Sequence, residues 1–296
     1  MSDRVKSKIP FVGLHAHSVA GSLFDALGYP NEHMDFAYSN GCDALALTDH
    51  GNANGLSHQV LHAKKMKEEG KNFKPIFGTE AYFIPSIKEW RQEYEKAMED
   101  KKRAKSLGST LSGATVEDEN SSKKVQDVLR RRRHLILLAQ NQKGLQNIFK
   151  LISESYKSEN FYRYPRMDYD LLAKYSEGVI AASACLGGVY SGNYWENREE
   201  GEEAVLTAMR ATTRRMLDIF GDRWYGELQW NNVPEQHIIN KYIIQMHEEF
   251  GIGLISTADS HYPNKDAWKD RELYKRLGWL GKAAPEYMST ELPIGV

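Results

Sequence analysis

The sequence predicts an α/β barrel, because short apolar runs typical of strands alternate with longer stretches of helical spacing. Seven such runs occur, and most of them end abruptly in polar side chains that can bind metal ions. In barrels and open sheets of this class, the carboxyl ends of the strands carry the catalytic residues. Seven units favour a closed barrel related to the eight-fold one. An open doubly wound sheet is the alternative.

The elements follow one another in a regular order along the chain. The strand-like runs cover residues 10–14, 44–47, 75–78, 135–139, 178–182, 225–228 and 252–257. The clearest helical stretches between them cover residues 56–69, 145–156, 202–220 and 236–250. Strands separated by helices indicate a parallel sheet that is covered on both faces.

Length and composition set limits on the class of protein. A chain of 296 residues is long enough for one large α/β domain or two ordinary ones. The formal net charge of −1 gives no overall attraction to nucleic acid. A role with DNA would therefore require a local patch or another domain. The sequence has neither a P-loop nor a Gly-x-Ser-x-Gly elbow, which argues against P-loop nucleotide hydrolysis and serine esterase chemistry.

Cysteine content and hydropathy indicate a compartment. The two cysteines, Cys42 and Cys185, are too few for a disulfide framework and fit a reducing environment. The first residues contain no apolar signal core, and no run of about 18 apolar residues occurs. We expect a cytoplasmic protein without a membrane partner.

One segment interrupts the alternation of strands and helices. Residues 86–133 are dominated by charged residues, serine and glycine, and the stretches 106–113 and 117–120 have linker composition. We expect a mobile insertion that contains a charged helix near residues 88–105. The four arginines at 130–133 either form a solvated charged face or provide a phosphate-binding edge beside the site.

Two pairs of side chains have the spacing that places both members on one face of a strand. His15 and His17 follow the first strand-like run, and Asp259 and His261 follow the last one. Strand side chains repeat every second residue, so each pair points in one direction. Imidazole and carboxylate together suit zinc, manganese or iron. A lone pair carries little weight, but two pairs at strand ends indicate a polynuclear metal hydrolase.

Further candidate ligands stand at the ends of other runs. Asp49 and His50 follow the second run, and Glu80 follows the third. A carboxylate in this position could bridge two ions about 3.5–4 Å apart, the separation used for phosphoryl displacement. A single strand-end glutamate is also a common ion-pair partner. Cys185 is either a thiolate ligand or a small buried hydrophobic residue.

His134 has a different position, because it begins its strand-like run instead of ending it. On a parallel strand, this residue would lie at the opposite mouth of the barrel from the other candidates. The spacing alone therefore predicts a surface or core histidine.

Taken in order, these motifs resemble the PHP (polymerase and histidinol phosphatase) domain. The similarity is to the form at the N-terminus of the alpha subunit of bacterial DNA polymerase III, a family C replicative polymerase. The segments that carry the resemblance are 11–18, 22–25, 44–52, 74–80, 134–139, 183–186 and 259–262. The resemblance implies a seven-stranded, distorted TIM-like barrel over residues 9–265. Residues 266–296 would begin the connection to a polymerase region.

The resemblance also implies about two to three divalent ions, zinc, manganese or iron, at one mouth of the barrel. The ligand sets it implies are His15, His17, Glu80 and Asp259 for one ion, Glu80, His134 and Cys185 for a second, and Asp25, His50 and His261 for a third. Asp25 becomes a candidate only through this resemblance. Asp49 would orient neighbouring histidines, and the catalytic residues would be Glu80, Asp259 and His261.

The function implied is metal-dependent phosphodiester hydrolysis of the 3′–5′ exonuclease, or proofreading, type. The partners implied are the single-stranded 3′ end of DNA, the polymerase core of the same parent protein and other replisome subunits. Two alternatives stay open. One is a free-standing phosphatase similar to histidinol phosphatase, and the other is a catalytically silent scaffold domain.

Overall fold

The structure, a computed structural model, describes residues 11–108, 127–128 and 130–278, without the side chains of 104–108. Its strands are β1 (Ala44–Leu47), β2 (Lys74–Phe83), β3 (Arg133–Ala139), β4 (Phe161–Tyr162), β5 (Tyr164–Met167), β6 (Val179–Ala182), β7 (Trp224–Gln229) and β8 (Gly253–Thr257). Its α-helices are α1 (Pro30–Ser39), α2 (Leu56–Glu68), α3 (Ile87–Gly108), α4 (Gln142–Ser155), α5 (Tyr169–Lys174), α6 (Val189–Asn197), α7 (Glu202–Phe220), α8 (Pro234–Phe250) and α9 (Trp268–Gly278). Short 3₁₀ turns lie at 198–200, 221–223 and 265–267.

The sheet closes into a barrel of seven segments. Strands β1, β2, β3, β6, β7 and β8 pair in that order, and residues 13–17 fill the gap between β8 and β1. The amide of Ala46 donates to the carbonyl oxygen of Gly13 at 2.7 Å, and that of His17 donates to Ser260 at 2.8 Å. These bonds satisfy both edges of the 13–17 segment. The predicted seven-stranded barrel is therefore confirmed against the open sheet.

The expectation of a wholly parallel sheet is wrong at β3. This strand runs antiparallel to both of its neighbours, β2 and β6. Antiparallel neighbours can be joined at one end of a sheet, whereas parallel ones need a crossover. The connection that contains α3 starts and finishes at the mouth of the barrel, so β3 begins where β2 ends.

Strand β3 also shows how the barrel forms two cores. Leu135 and Leu137 are fully buried among the outer helices, while Ile136 and Leu138 pack inside the barrel with Ala46. This division follows from the alternation of strand side chains between the two faces. Full burial of one such side chain stabilises the fold by about 1.5–3 kcal/mol, so the continuous apolar run specifies a strand covered on both faces.

Helix ends in the chain follow their local sequence. The Asn141 side chain accepts a hydrogen bond from the Gly144 amide at 3.0 Å and caps the start of α4. Helix α8 has Pro234 in its first turn and ends at Phe250. The C-cap residue Gly251 follows, and its φ of 68° is left-handed and favours glycine. The first cap lies just after β3, and the second lies just before β8.

The first part of the predicted insertion is a packed helix. The charged helix expected near residues 88–105 is α3, and its Trp90 and Ala97 are buried together with Ile84 and Val128. Mobility was expected for this insertion, but its linker-like residues 109–120 lie outside the described part of the chain.

The ends of the predicted domain lie partly outside the described residues too, namely 9–10 at the start and 279–296 in the connection. The described start of that connection is α9. The boundaries at 9–265 and 266–296 stay predictions. Among the described helices, none has the length and apolar character needed to cross a bilayer.

Candidate metal centre

The mouth of the barrel brings all nine predicted ligand residues together. A deep group consists of His15, His17, Glu80 and Asp259, and a rim group consists of Asp25, His50, His134, Cys185 and His261. The deep group rests mainly on paired backbone of the barrel, whereas the rim group lies mostly on the loops and strand ends around it. The reversed direction of β3 explains why His134 joins the others. The expectation that His134 would lie at the opposite mouth of the barrel is wrong for this reason.

The deep group has the dimensions of a metal site. The Nε2 atoms of His15 and His17 lie 3.1 Å apart, and each lies 3.1 Å from Asp259 Oδ1. The oxygens of Glu80 lie 3.6 Å from His15 Nε2 and 3.4 Å from His17 Nε2. Neighbouring ligand atoms of a tetrahedral ion with bonds of about 2.0–2.1 Å lie about 3.3 Å apart. The four side chains therefore match the spacing of one tetrahedral ion.

Glu80 lies between the deep group and the rim group. Its Oε2 is 2.7 Å from His50 Nδ1, and its Oε1 is 2.8 Å from His134 Nδ1. Cys185 Sγ lies 3.7 Å from Glu80 Oε1 and 3.5 Å from His134 Nδ1. One carboxylate thus faces ligands on both sides, the arrangement that a bridging carboxylate requires.

The outermost side chains of the rim group meet at Asp25. Its Oδ2 is 3.0 Å from His50 Nε2 and 3.2 Å from His261 Nε2. His17, His50 and His261 also offer nitrogens within 4.8 Å of one another, so His17 can serve either group. The other oxygen of Asp25 accepts a hydrogen bond of 3.0 Å from Arg271 of α9.

Hydrogen bonds behind the ligands fix the imidazole tautomers. Nδ1–H of His15 donates to Glu227 Oε1 at 2.6 Å, which leaves the Nε2 lone pair facing the site. The Ser22 hydroxyl donates to Asp49 Oδ1 at 2.9 Å, so its oxygen accepts the proton of His17 Nδ1 at 3.2 Å. Both Nε2 lone pairs then point at each other, an arrangement that a shared cation stabilises.

The buried polar atoms of the centre also indicate a metal site. Among the described residues, His50 Nδ1, Glu80 Oε2 and Asp259 Oδ1 are buried, and although each lies within 3.1 Å of another ligand atom, none has a partner in hydrogen-bond geometry. An unsatisfied buried polar atom costs about 1–3 kcal/mol, and more for a charged group. All three atoms face the interior of the centre, where a divalent ion would satisfy them. The donor set of imidazole, carboxylate and thiol fits zinc, manganese or iron.

The electrostatics divide the ligands. Burial alone would lower the pKa of His15 and His50, but the nearby carboxylates raise that of His15 well above its ordinary value and that of His50 to about 10, so a cation must displace a proton from each. Burial, together with His50 and His261, lowers the pKa of His17 to about 3, so its imidazole is neutral. Burial alone would raise the pKa of Glu80, but the adjacent histidines hold it well below its ordinary value. Burial and the nearby carboxylates raise the pKa of the Cys185 thiol, so this side chain becomes a thiolate only when a cation displaces its proton.

Some functional side chains were missed from the sequence. Glu227 is fully buried and accepts from Thr257 Oγ1 at 2.5 Å and Gln229 Nε2 at 2.9 Å, besides His15. Its position two residues before Gln229 places both on one face of β7, and this alternation was the available signal. Asp49, expected to orient histidines, reaches His17 through Ser22 and has no direct contact with an imidazole among the hydrogen bonds described.

Comparison with known proteins identifies the family of the chain. The PHP domain family matches residues 13–231, which is most of the chain, and the chain therefore belongs to the PHP domain family. The DNA polymerase III alpha subunit of Aquifex aeolicus is 37% identical over 256 residues, covering 86% of this chain and 18% of that protein. The alpha subunit of Borreliella burgdorferi is 32% identical over 277 residues, covering 93% of this chain and 20% of its own length.

The chain thus spans about a fifth of the length of these polymerase subunits and is homologous to their PHP region. An amidohydrolase of known structure from Chromobacterium violaceum aligns with a TM-score of 0.41 and 15% sequence identity, over 89% of this chain and 96% of its own.

Proposed function

We propose that this chain is the N-terminal PHP domain of a replicative DNA polymerase III alpha subunit and that its site removes nucleotides from the 3′ end of single-stranded DNA. The observation that carries the proposal is the position of Glu80, whose two oxygens lie 2.7 and 2.8 Å from two different rim histidines and face the deep group as well. A shared carboxylate of this kind is typical of polynuclear phosphodiester hydrolysis. The homology to alpha subunits supports DNA as the substrate.

The ligand sets implied by the sequence are kept in this proposal. His15, His17, Glu80 and Asp259 would hold one ion, Glu80, His134 and Cys185 a second, and Asp25, His50 and His261 a third. About two to three zinc, manganese or iron ions would supply activated water and neutralise the charge that develops on the phosphate. We propose Glu80, Asp259 and His261 as the catalytic residues.

The deep group and the rim group have different roles in this proposal. Glu227 and the Ser22–Asp49 pair hold His15 and His17 with their lone pairs inward, so the deep group is preorganised before substrate arrives. The side chain of Asp25 is 41% exposed, so substrate would approach over the rim. The buried deep group keeps bulk water away from the strand ends.

The remaining partners belong to the same proposal. The polymerase core would follow this domain in the parent protein, and α9 begins the connection to it. Other replisome subunits would contact that larger protein. Their involvement is inferred from homology to alpha subunits, of which this chain represents about a fifth.

The test compares substrates on the purified chain supplied with zinc, manganese or iron. We expect mononucleotide release from a single-stranded oligonucleotide and little phosphate release from a simple phosphate monoester. Glu80→Gln should reduce cleavage about a thousandfold or more, because it removes the shared charge at constant size. Glu68→Gln, on the exposed face of α2, is the matched control and should match the unaltered chain.

Two outcomes would overturn this function. Strong monoester turnover without nucleotide release would identify a phosphatase of the histidinol-phosphatase type. A folded chain that binds no metal and cleaves neither substrate would identify a silent scaffold domain.

A further inference from the structure

The four consecutive arginines at 130–133 have different surroundings. Arg131 pairs with Glu93 at 2.7 Å on the surface, and Arg133 pairs with Glu196. The charges of these two are therefore balanced by carboxylates. Arg132 does not point toward these carboxylates, and this distinguishes it from Arg131 and Arg133.

The guanidinium of Arg132 lies over aromatic rings. Its guanidinium carbon is 3.9 Å from the ring centre of Tyr164 and 5.4 Å from that of Tyr82. One terminal nitrogen donates to the carbonyl oxygen of Arg130 at 3.0 Å, but the buried Nε has no hydrogen-bond partner. A stacked guanidinium keeps its N–H groups in the plane of the fork, where they can bind an anion.

Arg132 adjoins the metal centre without belonging to it. It precedes His134 by two residues, and both side chains lie near the ring of Tyr82. Tyr82 lies opposite His134 in the strand register, and its ring centre is 5.6 Å from His134 and 6.0 Å from His50. One tyrosine ring thus separates the guanidinium from the rim histidines.

A second arginine fixes this arrangement. Arg166 of β5 is fully buried and donates to the carbonyl oxygens of Tyr162 at 2.9 Å, Tyr164 at 3.2 Å and Arg131 at 3.2 Å. These bonds tie the β4–β5 hairpin, which supplies Tyr164, to the backbone just before Arg132. The cation and its aromatic support are therefore held in place before any ligand binds.

We propose that Arg132, stacked on Tyr164 and adjacent to Tyr82, binds a backbone phosphate of a single-stranded nucleic acid next to the nucleotide being removed. This assignment rests on the proposed nuclease function, and it adds the contact that guides the strand into the rim. A strand that leaves the metal centre over Tyr82 meets this guanidinium first. The aromatic faces and the cation together are the combination that single-strand binding sites use.

The test uses a fluorescently labelled oligothymidylate and the full chain with its metals removed by chelation, so that binding is measured without cleavage. Arg132→Ala should weaken binding about tenfold and lower the slope of log affinity against log salt by about 0.7, the value for one phosphate contact on a single strand. Arg132→Lys should fall between the two, because it keeps the charge and loses the planar stacking. Arg131→Ala, an exposed arginine paired with Glu93, should bind as the unaltered chain does.

A kinetic arm separates this contact from the scissile phosphate. With metal restored, Arg132→Ala should raise KM for the oligonucleotide about tenfold, far more than it affects cleavage of bis(p-nitrophenyl) phosphate, which has one phosphate only. Equal losses on both substrates, or an unchanged salt slope, would overturn the proposal. If the unaltered chain cleaves nothing, the nuclease function fails, while the binding comparison still decides whether Arg132 contacts phosphate.

Discussion

The deep and rim groups of the metal centre differ in what holds them. His15 and His17 are fully buried. His15 is held by Glu227, and His17 is held by Ser22, which in turn donates to Asp49. The rim side chains are partly exposed, and Asp25 depends on Arg271 from the last described helix. Because the deep ligands are preorganised by the barrel itself, they should set metal affinity. The rim should set substrate access and the occupancy of the outermost ion.

The largest effect among the supporting side chains is expected at Glu227. Glu227→Gln keeps the shape but removes the charge that orients His15 and raises its basicity, so metal affinity should fall about 10–100-fold. A chelator titration followed by elemental analysis measures this loss. Glu248→Gln, on the exposed face of α8, is the control. Undiminished affinity in a folded Glu227→Gln chain would contradict the preorganised deep group.

A smaller and more selective effect is expected at Arg271. This side chain donates to both the carbonyl oxygen of Asp25 at 2.9 Å and its Oδ1 at 3.0 Å. Arg271→Ala should therefore release the outermost ion and leave the ions of the other two ligand sets bound, with a loss of affinity at the Asp25 set of about tenfold or less.

Metal content at increasing chelator concentration distinguishes the two groups, and Arg271→Lys should retain part of the support. Simultaneous loss of every ion in Arg271→Ala would show that the two groups are not separable.

The last effect concerns acid and acts on the free energy of unfolding instead of metal affinity. Burial lowers the pKa of His33 to about 4 from its ordinary 6.5, and its Nε2 is 3.0 Å from the carbonyl oxygen of Leu27, in the loop that carries Asp25. Between pH 6.5 and 4 the unfolded chain takes up a proton that the folded chain refuses. The free energy of unfolding should therefore fall with acidification in this window, by no more than about 3 kcal/mol.

Denaturant titrations of the metal-free chain at several pH values measure this dependence, and the difference from His33→Gln isolates the contribution of His33. The variant should show a flatter profile between pH 6.5 and 4. Parallel profiles for the two chains would show that protonation of His33 does not cause the loss of stability in acid.

Some side chains of the metal centre could be predicted from the sequence, and others could not. The pair His15–His17 could be predicted from strand periodicity. Asp259 and His261 lie beyond the end of β8, and Asp259 has a left-handed φ of 50°, so their convergence on the site follows from the loop and not from the strand repeat. Glu227 was missed, because one acidic residue within an apolar run is indistinguishable from a structural ion-pair partner. Its role depends on meeting His15, a contact between residues 212 positions apart in the chain.

Two other residues were misjudged because the direction of a strand and the contacts between distant segments cannot be read from local sequence. His134 was misread from spacing because the orientation of β3 depends on the connection through α3, which carries no directional signal in its composition. Arg132 could not be told from its neighbours, since the β4–β5 hairpin that supplies Tyr164 was not predicted. Local patterns therefore defined the barrel and its strand ends, whereas side chains that act across the chain required the fold.

The most direct test of the central claim is the metal content of the folded chain. The protein is loaded with zinc, manganese or iron, freed of loosely bound ions by gel filtration and analysed for elements. A site built by these two groups should retain about two to three equivalents per chain, and Glu80→Gln should retain fewer than about one. A folded, unaltered chain that retains no stoichiometric metal would contradict the account.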